Sequence, residues 1–177
     1  MTLLISALGV VANIGTVGTN VTAIEYGNSY AHTTVLTPSS VAITIGNNAS
    51  LATGSLIYTL PAGAIIVESA YLSVGLTLTT GTPKTDTPQI GIGTTVGTGA
   101  NATLATTTAN IITGAAMADI NGTAKVITQI PTANVPFVIA AGAAHTLYLN
   151  FACAWSAVTS TAATATGTIV INWRFLA

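Results

Sequence analysis

Two stretches near the end of the chain constrain its fold more than anything else in the sequence. In His145–Trp155 (HTLYLNFACAW), Leu147, Leu149, Phe151, Cys153 and Trp155 share one parity, and Thr146, Tyr148 and Asn150 take the other. In TIVINWRFL, which ends at Leu176, Ile169, Ile171, Trp173 and Phe175 alternate with Thr168, Val170, Asn172 and Arg174. Strict period two sends each set to its own face of a sheet, the pattern of a strand buried on one side. The intervening SAVTSTAATATG is too long for a tight hairpin turn, so the two strands are either neighbours in one sheet or members of two facing sheets. Both Trp and two of the three Phe lie here, concentrating aromatic burial in this C-terminal unit. Leu147, Leu149, Phe151, Trp173 and Phe175 are the expected core, with Cys153 as a small core residue. Trp155, at a strand end, suits either the core or a contact between subunits.

The sheet signal begins further back, at Tyr30. AHTTVLTPSS and VAITIGNN predict two short strands separated by Pro38-Ser39-Ser40 and closed by Gly46-Asn47-Asn48. Pro61-Ala62-Gly63 supplies turn chemistry between SLIYTL and a longer strand in which Leu72, Val74, Leu76 and Leu78 keep one parity. Glu68 falls on that apolar parity, which requires either a bulge nearby or a partner facing the carboxylate. QIGIGTTVG reads as a Gly-rich strand, and TAKVITQI and VPFVIA as further strands. Ala100–Ala118 is ambiguous: its Ala, Leu and Met permit a short helix that the Thr run at 106–108 weakens. Residues 1–28 begin apolar and turn to Gly, Thr, Val and Asn. They read either as an extended arm ordered against a neighbouring subunit or as a first strand. The fold class is therefore all-β, a jelly-roll-like β-sandwich of about eight strands over 29–177 with an N-terminal extended arm over 1–28.

Composition enters where partners are concerned. Charged residues make up 4% of the 177, against 50% hydrophobic, with mean hydropathy +0.72 and net charge −1. Ordinary soluble domains carry about 25% charged residues. A free surface this poor in charge is prone to association, so much of it is expected to lie against protein, as a homo-oligomer or in a larger assembly. Lys84, Lys125 and Arg174 are the only cations and are scattered, which argues against nucleic acid as partner. No apolar run reaches the ~18 residues of a spanning helix. Leu3–Ile14, the longest candidate, is broken by Ser6, Gly9 and Asn13. A transmembrane barrel also alternates, but aromatic girdles are not evident, so no membrane partner is expected.

No motif for chemistry stands out, and no catalytic, cofactor-binding or metal-binding residue is assigned. GIGTTVGTG at 91–99 lacks the Gly-Lys-Ser/Thr ending of a phosphate loop. His32 and His145 have no ligating partner close in sequence, and each reads as a hydrogen-bonded His at a strand start. The acids Glu25, Glu68, Asp86 and Asp119 could form a glycosidase pair only through long-range folding, and no aromatic sugar platform surrounds them. Asp119-x-Asn121-Gly122 lacks the remaining ligands of a calcium loop. The expectation is a protein that is not an enzyme and needs no cofactor.

YTLPAGAIIVESAYLSVGLTL, INGTAKVITQI, AGAAHTLYLNF and GTIVINWRFL together resemble capsid decoration, or cement, proteins of tailed bacteriophages, particularly phages of cyanobacteria and other aquatic bacteria. The resemblance covers Tyr30–Ala177 and rests on strand patterns. It implies a jelly-roll-like virion protein that trimerises on the outer capsid surface and bridges subunits of the major capsid protein. No contact residue is carried over from the family. A carbohydrate- or receptor-binding β-sandwich, such as a tail tip or adhesin, is the alternative, and a β-sandwich hydrolase the third. On the arm reading, removal of residues 1–28 leaves the sandwich folded.

Overall fold

The computed structural model describes residues 10–11, 14–45, 50–80, 87–117, 126–130, 136–142, 144–154 and 161–176. They form strands β1 (Val10–Val11), β2 (Thr16–Val17), β3 (Val21–Gly27), β4 (Ala31–Pro38), β5 (Val41–Ile45), β6 (Ala52–Leu60) and β7 (Ile65–Thr80). After these come β8 (Gln89–Gly93), β9 (Ile112–Ala116), β10 (Val126–Ile130), β11 (Phe137–Ile139), β12 (His145–Ala152) and β13 (Thr161–Phe175). A single 3-10 turn at Thr106–Thr108 precedes β9. The helix that Ala100–Ala118 permitted is therefore not formed. Ile111, Ile112 and Met117 are buried there instead, and strand pairing of β9 with β8 supplies the backbone hydrogen bonds.

All pairings are antiparallel, and they make two packed sheets. The larger is ordered β1-β3-β4-β13-β7-β10, with β5 also on β13 and β11 also on β7; the smaller is β2-β6-β12-β8-β9. Both β4 and β5 pair with the same side of β13, at Ile169–Arg174 and at Thr161–Ala165. They are two halves of one strand broken at Ser39-Ser40, where Ser40 N–H donates to Thr166 Oγ1 (3.1 Å). In the same way β10 and β11 lie end to end along β7. Counting each split pair once leaves eight principal strands from β4 onward. In chain order, the larger sheet then runs first-eighth-third-sixth and the smaller second-seventh-fourth-fifth. That is jelly-roll connectivity, the double Greek key.

The two C-terminal strands that alternate so strictly lie in facing sheets, β12 in the smaller and β13 in the larger. Their apolar parities meet in the core: Leu147, Leu149 and Phe151 from one side, Ile169, Ile171 and Trp173 from the other, all buried. Cys153 is buried with them, and Phe175 packs half-buried at the core's edge. Trp155 lies outside the described residues. The β7–β13 pairing is the spine of the larger sheet, matching Ile65–Thr80 against Ala162–Phe175. Its register slips twice, between Ala162 and Ala163 and again where Asn172 faces Ser69 while Trp173 faces Val67. Glu68 is the extra residue of that bulge, which turns its side chain outward and resolves its place on the apolar parity.

Residues 14–28 do not behave as a separable arm. β3 pairs along its whole length with β4, from Val21↔Pro38 to Gly27↔His32, and β2 pairs with β6. Val21 and Glu25 are buried. Deleting 1–28 would take β3 from the larger sheet and uncover the core around Val21 and Glu25. Residues 1–9, the apolar start of the segment, lie outside the described residues.

Candidate functional site

The hairpin between β3 and β4 assembles the most polar part of the interior. Asn28 Oδ1 accepts the N–H groups of Tyr30 (2.8 Å) and Ala31 (2.9 Å), an Asx turn. Gly27 sits at φ +150°, and a Cβ there would run into the Ala31 carbonyl oxygen, so this turn requires glycine. The register it sets places Glu25 opposite Thr34 and diagonal to His32. All three therefore point to the inner face, and all are buried.

Glu25 Oε1 and His32 Nδ1 approach to 2.6 Å, an ion pair whenever the imidazole carries its second proton. The approach lacks hydrogen-bond alignment, and His32 Nε2 has no hydrogen-bond partner among the described residues. The imidazole stacks flat on Trp173, with centroids 4.3 Å apart and planes 11° from parallel. Trp173 Nε1–H donates to Thr34 Oγ1 (2.9 Å), which satisfies the indole without exposing it. From the facing sheet, the Tyr58 hydroxyl donates to Glu25 Oε2 (2.7 Å) and accepts the N–H of Gly15 (3.1 Å). A bulge aims it there. Leu147 faces Tyr58 but Tyr148 faces Leu56, so Ile57 is the extra residue and both Ile57 and Tyr58 turn inward. Burial first, then the hydrogen bond and the negative charge of Glu25, hold the Tyr58 phenol well above its usual range. The phenol therefore stays a donor, and the cluster ties the two sheets together.

A second buried polar residue organises the opposite end. Asn150 on β12 belongs to the polar parity, yet it is fully buried. Its Nδ2 donates to the carbonyls of Thr95 (3.0 Å) and Thr108 (2.7 Å), and its Oδ1 accepts the Gly97 N–H (2.8 Å). The Gly-rich 91–99 stretch is thus a strand followed by a loop folded back over β12. A Cβ at Gly93 would strike the backbone of Thr107–Thr108. The glycines allow close packing of protein on protein, and no phosphate cradle is formed.

The remaining candidates separate. His145 Nε2 is 3.1 Å from the Gly63 carbonyl, and since a carbonyl only accepts, Nε2 carries the proton. Arg174 donates from Nε to Glu68 Oε1 (2.6 Å) and from Nη1 to the Tyr30 hydroxyl (2.7 Å), on the surface. Asp86, Asp119, Lys84 and Lys125 lie outside the described residues. Glu25 and Glu68 do not pair, and no group of three His, Cys, Asp or Glu side chains gathers among the described residues. Nor is any helix among them long and apolar enough to cross a membrane. The Glu25–His32 juxtaposition escapes a reading of the sequence because only the hairpin register creates it. Its signal is Gly27-Asn28-Ser29, a turn flanked by two alternating runs.

The outer surface is the counterpart of this polar interior. Of the Lys, Arg, Asp and Glu side chains among the described residues, Glu25 is buried, and only Glu68 and Arg174 reach the surface, where they neutralise each other. The outer face of the larger sheet presents Thr22, Ile24, Val35, Thr168, Val170, Tyr71 and Ser73 on neighbouring strands.

No protein-family model matches the chain, and no curated protein matches it. Among solved structures, a chain from the structure of infectious bursal disease virus Gt strain aligns with 91% of this chain at 13% identity and a TM-score of 0.29. The alignment spans about a third, 32%, of that neighbour's own length. Likeness at this level carries no argument about what this chain does.

Proposed function

We propose that this chain is a non-enzymatic structural protein of a virion. It is a capsid decoration protein that sits as a trimer on the outer capsid surface and stabilises the shell by bridging subunits of the major capsid protein. One observation carries the reading: the described surface holds a single ion pair and no other Lys, Arg, Asp or Glu side chain. A solitary soluble protein normally relies on dispersed charge to stay apart from its copies. Faces of Thr, Ser and small apolar residues instead suit contacts that are themselves protein. The buried polar groups are spent on joining sheets and loops, and jelly rolls recur in viral capsid domains. The strand patterns that resemble cement proteins supply the trimer and the capsid partner.

The apolar start of the N-terminal segment contributes a contact to the shell in this reading. Leu3, Leu4 and Ile5 offer apolar area to bury against a capsid subunit. Many copies on one shell add such contacts through multivalency. The test is co-sedimentation of the purified protein with empty shells of the major capsid protein of its virus. Saturable binding at a fixed ratio per capsid subunit is expected. Absence of binding, with the protein instead retained on glycan or host-cell surfaces, would replace this role with receptor binding.

A further inference from the structure

Where the two sheets part beside β11, a groove opens between them. Phe137 pairs with Val67 and Ile139 with Ile65 on β7. Val67 and Ile65 are buried, and residues directly opposed in a sheet share a face. The Phe137 ring therefore points inward and packs half-buried against the core. Across the gap lie the segment around the 3-10 turn and the start of β12. Two adjoining hollows of about 540 and 400 Å³ meet at Thr107, Asn110 and Phe137, which line both. Each falls in the range of roughly 300–1,000 Å³ that small-molecule sites occupy. Leu104, Ala105 and Ala109 give the first an apolar wall, and Thr94, His145 and Thr146 give the second a polar one. The polar groups are fixed but only partly used. Thr94 N–H donates to Asn110 Oδ1 (3.0 Å), and Asn110 Nδ2 donates to Thr94 Oγ1 (2.9 Å). This holds the amide in one orientation and leaves its second N–H without a partner among the described residues. With Nε2–H committed to the Gly63 carbonyl (3.1 Å), Nδ1 of the His145 ring is an acceptor. The rim is braced as well: Thr108 Oγ1 donates to the Ala105 carbonyl (2.7 Å) and accepts the Ala105 N–H (3.1 Å). Between them Thr106 holds φ +49°, a conformation uncommon for a β-branched residue.

We propose that this groove binds a neutral oligosaccharide, with one sugar ring packed on Phe137 and its hydroxyls on Asn110, His145 and Thr94. No Lys, Arg, Asp or Glu side chain lines either hollow, so a charged ligand would leave water without a counter-charge. A purely aliphatic ligand would cover the unused positions of Asn110 and His145 and leave them unmet. A pyranose answers both demands. Its C–H groups present an apolar face that suits an aromatic ring, and the hydroxyls around its edge both donate and accept. Asn110 Nδ2 offers a donor and His145 Nδ1 an acceptor to such hydroxyls. Two hollows joined at one ring give room for more than a single unit, so the ligand is a chain of sugars. The site lies between the sheets and leaves their outer faces to protein contacts. It therefore stands independently of the capsid role.

Saturation-transfer-difference NMR of the full chain with maltohexaose, cellohexaose and mannohexaose tests it. A hyaluronan hexasaccharide serves as the anionic probe and cyclohexanol as the apolar one. Saturable transfer to the ring protons of at least one neutral hexasaccharide is expected, and none to hyaluronan. Phe137→Ala should weaken that binding about tenfold or more, the loss of an anchoring aromatic. Thr107 is exposed and lines both hollows. Thr107→Arg fills the groove from its rim, and should abolish binding while leaving the circular dichroism spectrum unchanged. Thr22→Arg, which adds the same charge on the exposed outer face of β3, should leave binding unaltered. Absence of transfer to all the neutral sugars, equal transfer to hyaluronan, saturable binding of cyclohexanol in their place, or binding unmoved by Thr107→Arg would each overturn the proposal. Shell binding is scored in a separate assay, so failure of one leaves the other standing.

Discussion

Replacing Tyr58 with Phe isolates the contact that ties the two sheets at their polar end. The ring keeps its place in the core, and only the hydroxyl is lost. With it go the bond to Glu25 Oε2 (2.7 Å) and the acceptor for Gly15 N–H (3.1 Å). A hydrogen bond to a charged group contributes about 1.5–3 kcal/mol, and a buried donor left unmet adds about 1 kcal/mol or more. The expected loss is therefore roughly 3 kcal/mol. At ~2.1 cal/mol/K of unfolding entropy per residue, a chain of 177 residues has about 0.37 kcal/mol/K, and the melting temperature should fall by about 8 °C. Scanning calorimetry reads this directly. A double-mutant cycle with Glu25→Gln should show that the two losses overlap, since Gln leaves the Tyr58 hydroxyl only a neutral acceptor in the same bond. A fall of less than 2 °C in Tyr58→Phe would refute the inter-sheet tie and leave the cluster as passive filling.

The same phenol makes stability fall at high pH. Its folded-state pKa lies above its unfolded value near ~10, so its contribution is intact below that value and is lost as pH rises beyond it, at up to ~1.4 kcal/mol per pH unit; chemical denaturation at pH 9 to 11.5 should show this slope reduced by one proton in Tyr58→Phe. Phe151→Ala should cost roughly 3–5 kcal/mol by opening a cavity between the sheets, and a melting temperature within a degree or two of wild type would mean that its strand faces the other way. Asn150→Leu removes three bonds to the 95–108 loop and should cost about 3 kcal/mol, with hydrogen exchange accelerated at Gly97; unchanged protection there would show that the loop holds itself.

The fold is legible in the sequence where period two runs unbroken. Leu147, Leu149 and Phe151, like Ile169, Ile171 and Trp173, reach the core because each parity sees one continuous environment. Alternation misleads where one residue is added or one loop folds over. Glu68 and Ile57 are bulge residues, and a bulge reverses the facing of the residues beyond it. Asn150 obeys its polar parity, but the 94–108 segment covers that side of β12, so its face is interior. Glu25 and His32 meet through hairpin register, a property of the turn at Gly27-Asn28. Residues 1–28 read as either an arm or a first strand because the stretch before β3, IGTVGTN at 14–20, is rich in Gly and Thr, which carry little core signal by themselves.

The cement role is tested most directly by the rupture of shells. Empty shells of the major capsid protein are heated, or shocked osmotically, bare, with the full chain bound, and with a chain lacking residues 1–9. The account predicts the highest rupture threshold with the full chain, a lower one with the shortened chain and the lowest for bare shells. Equal thresholds in all three would contradict it.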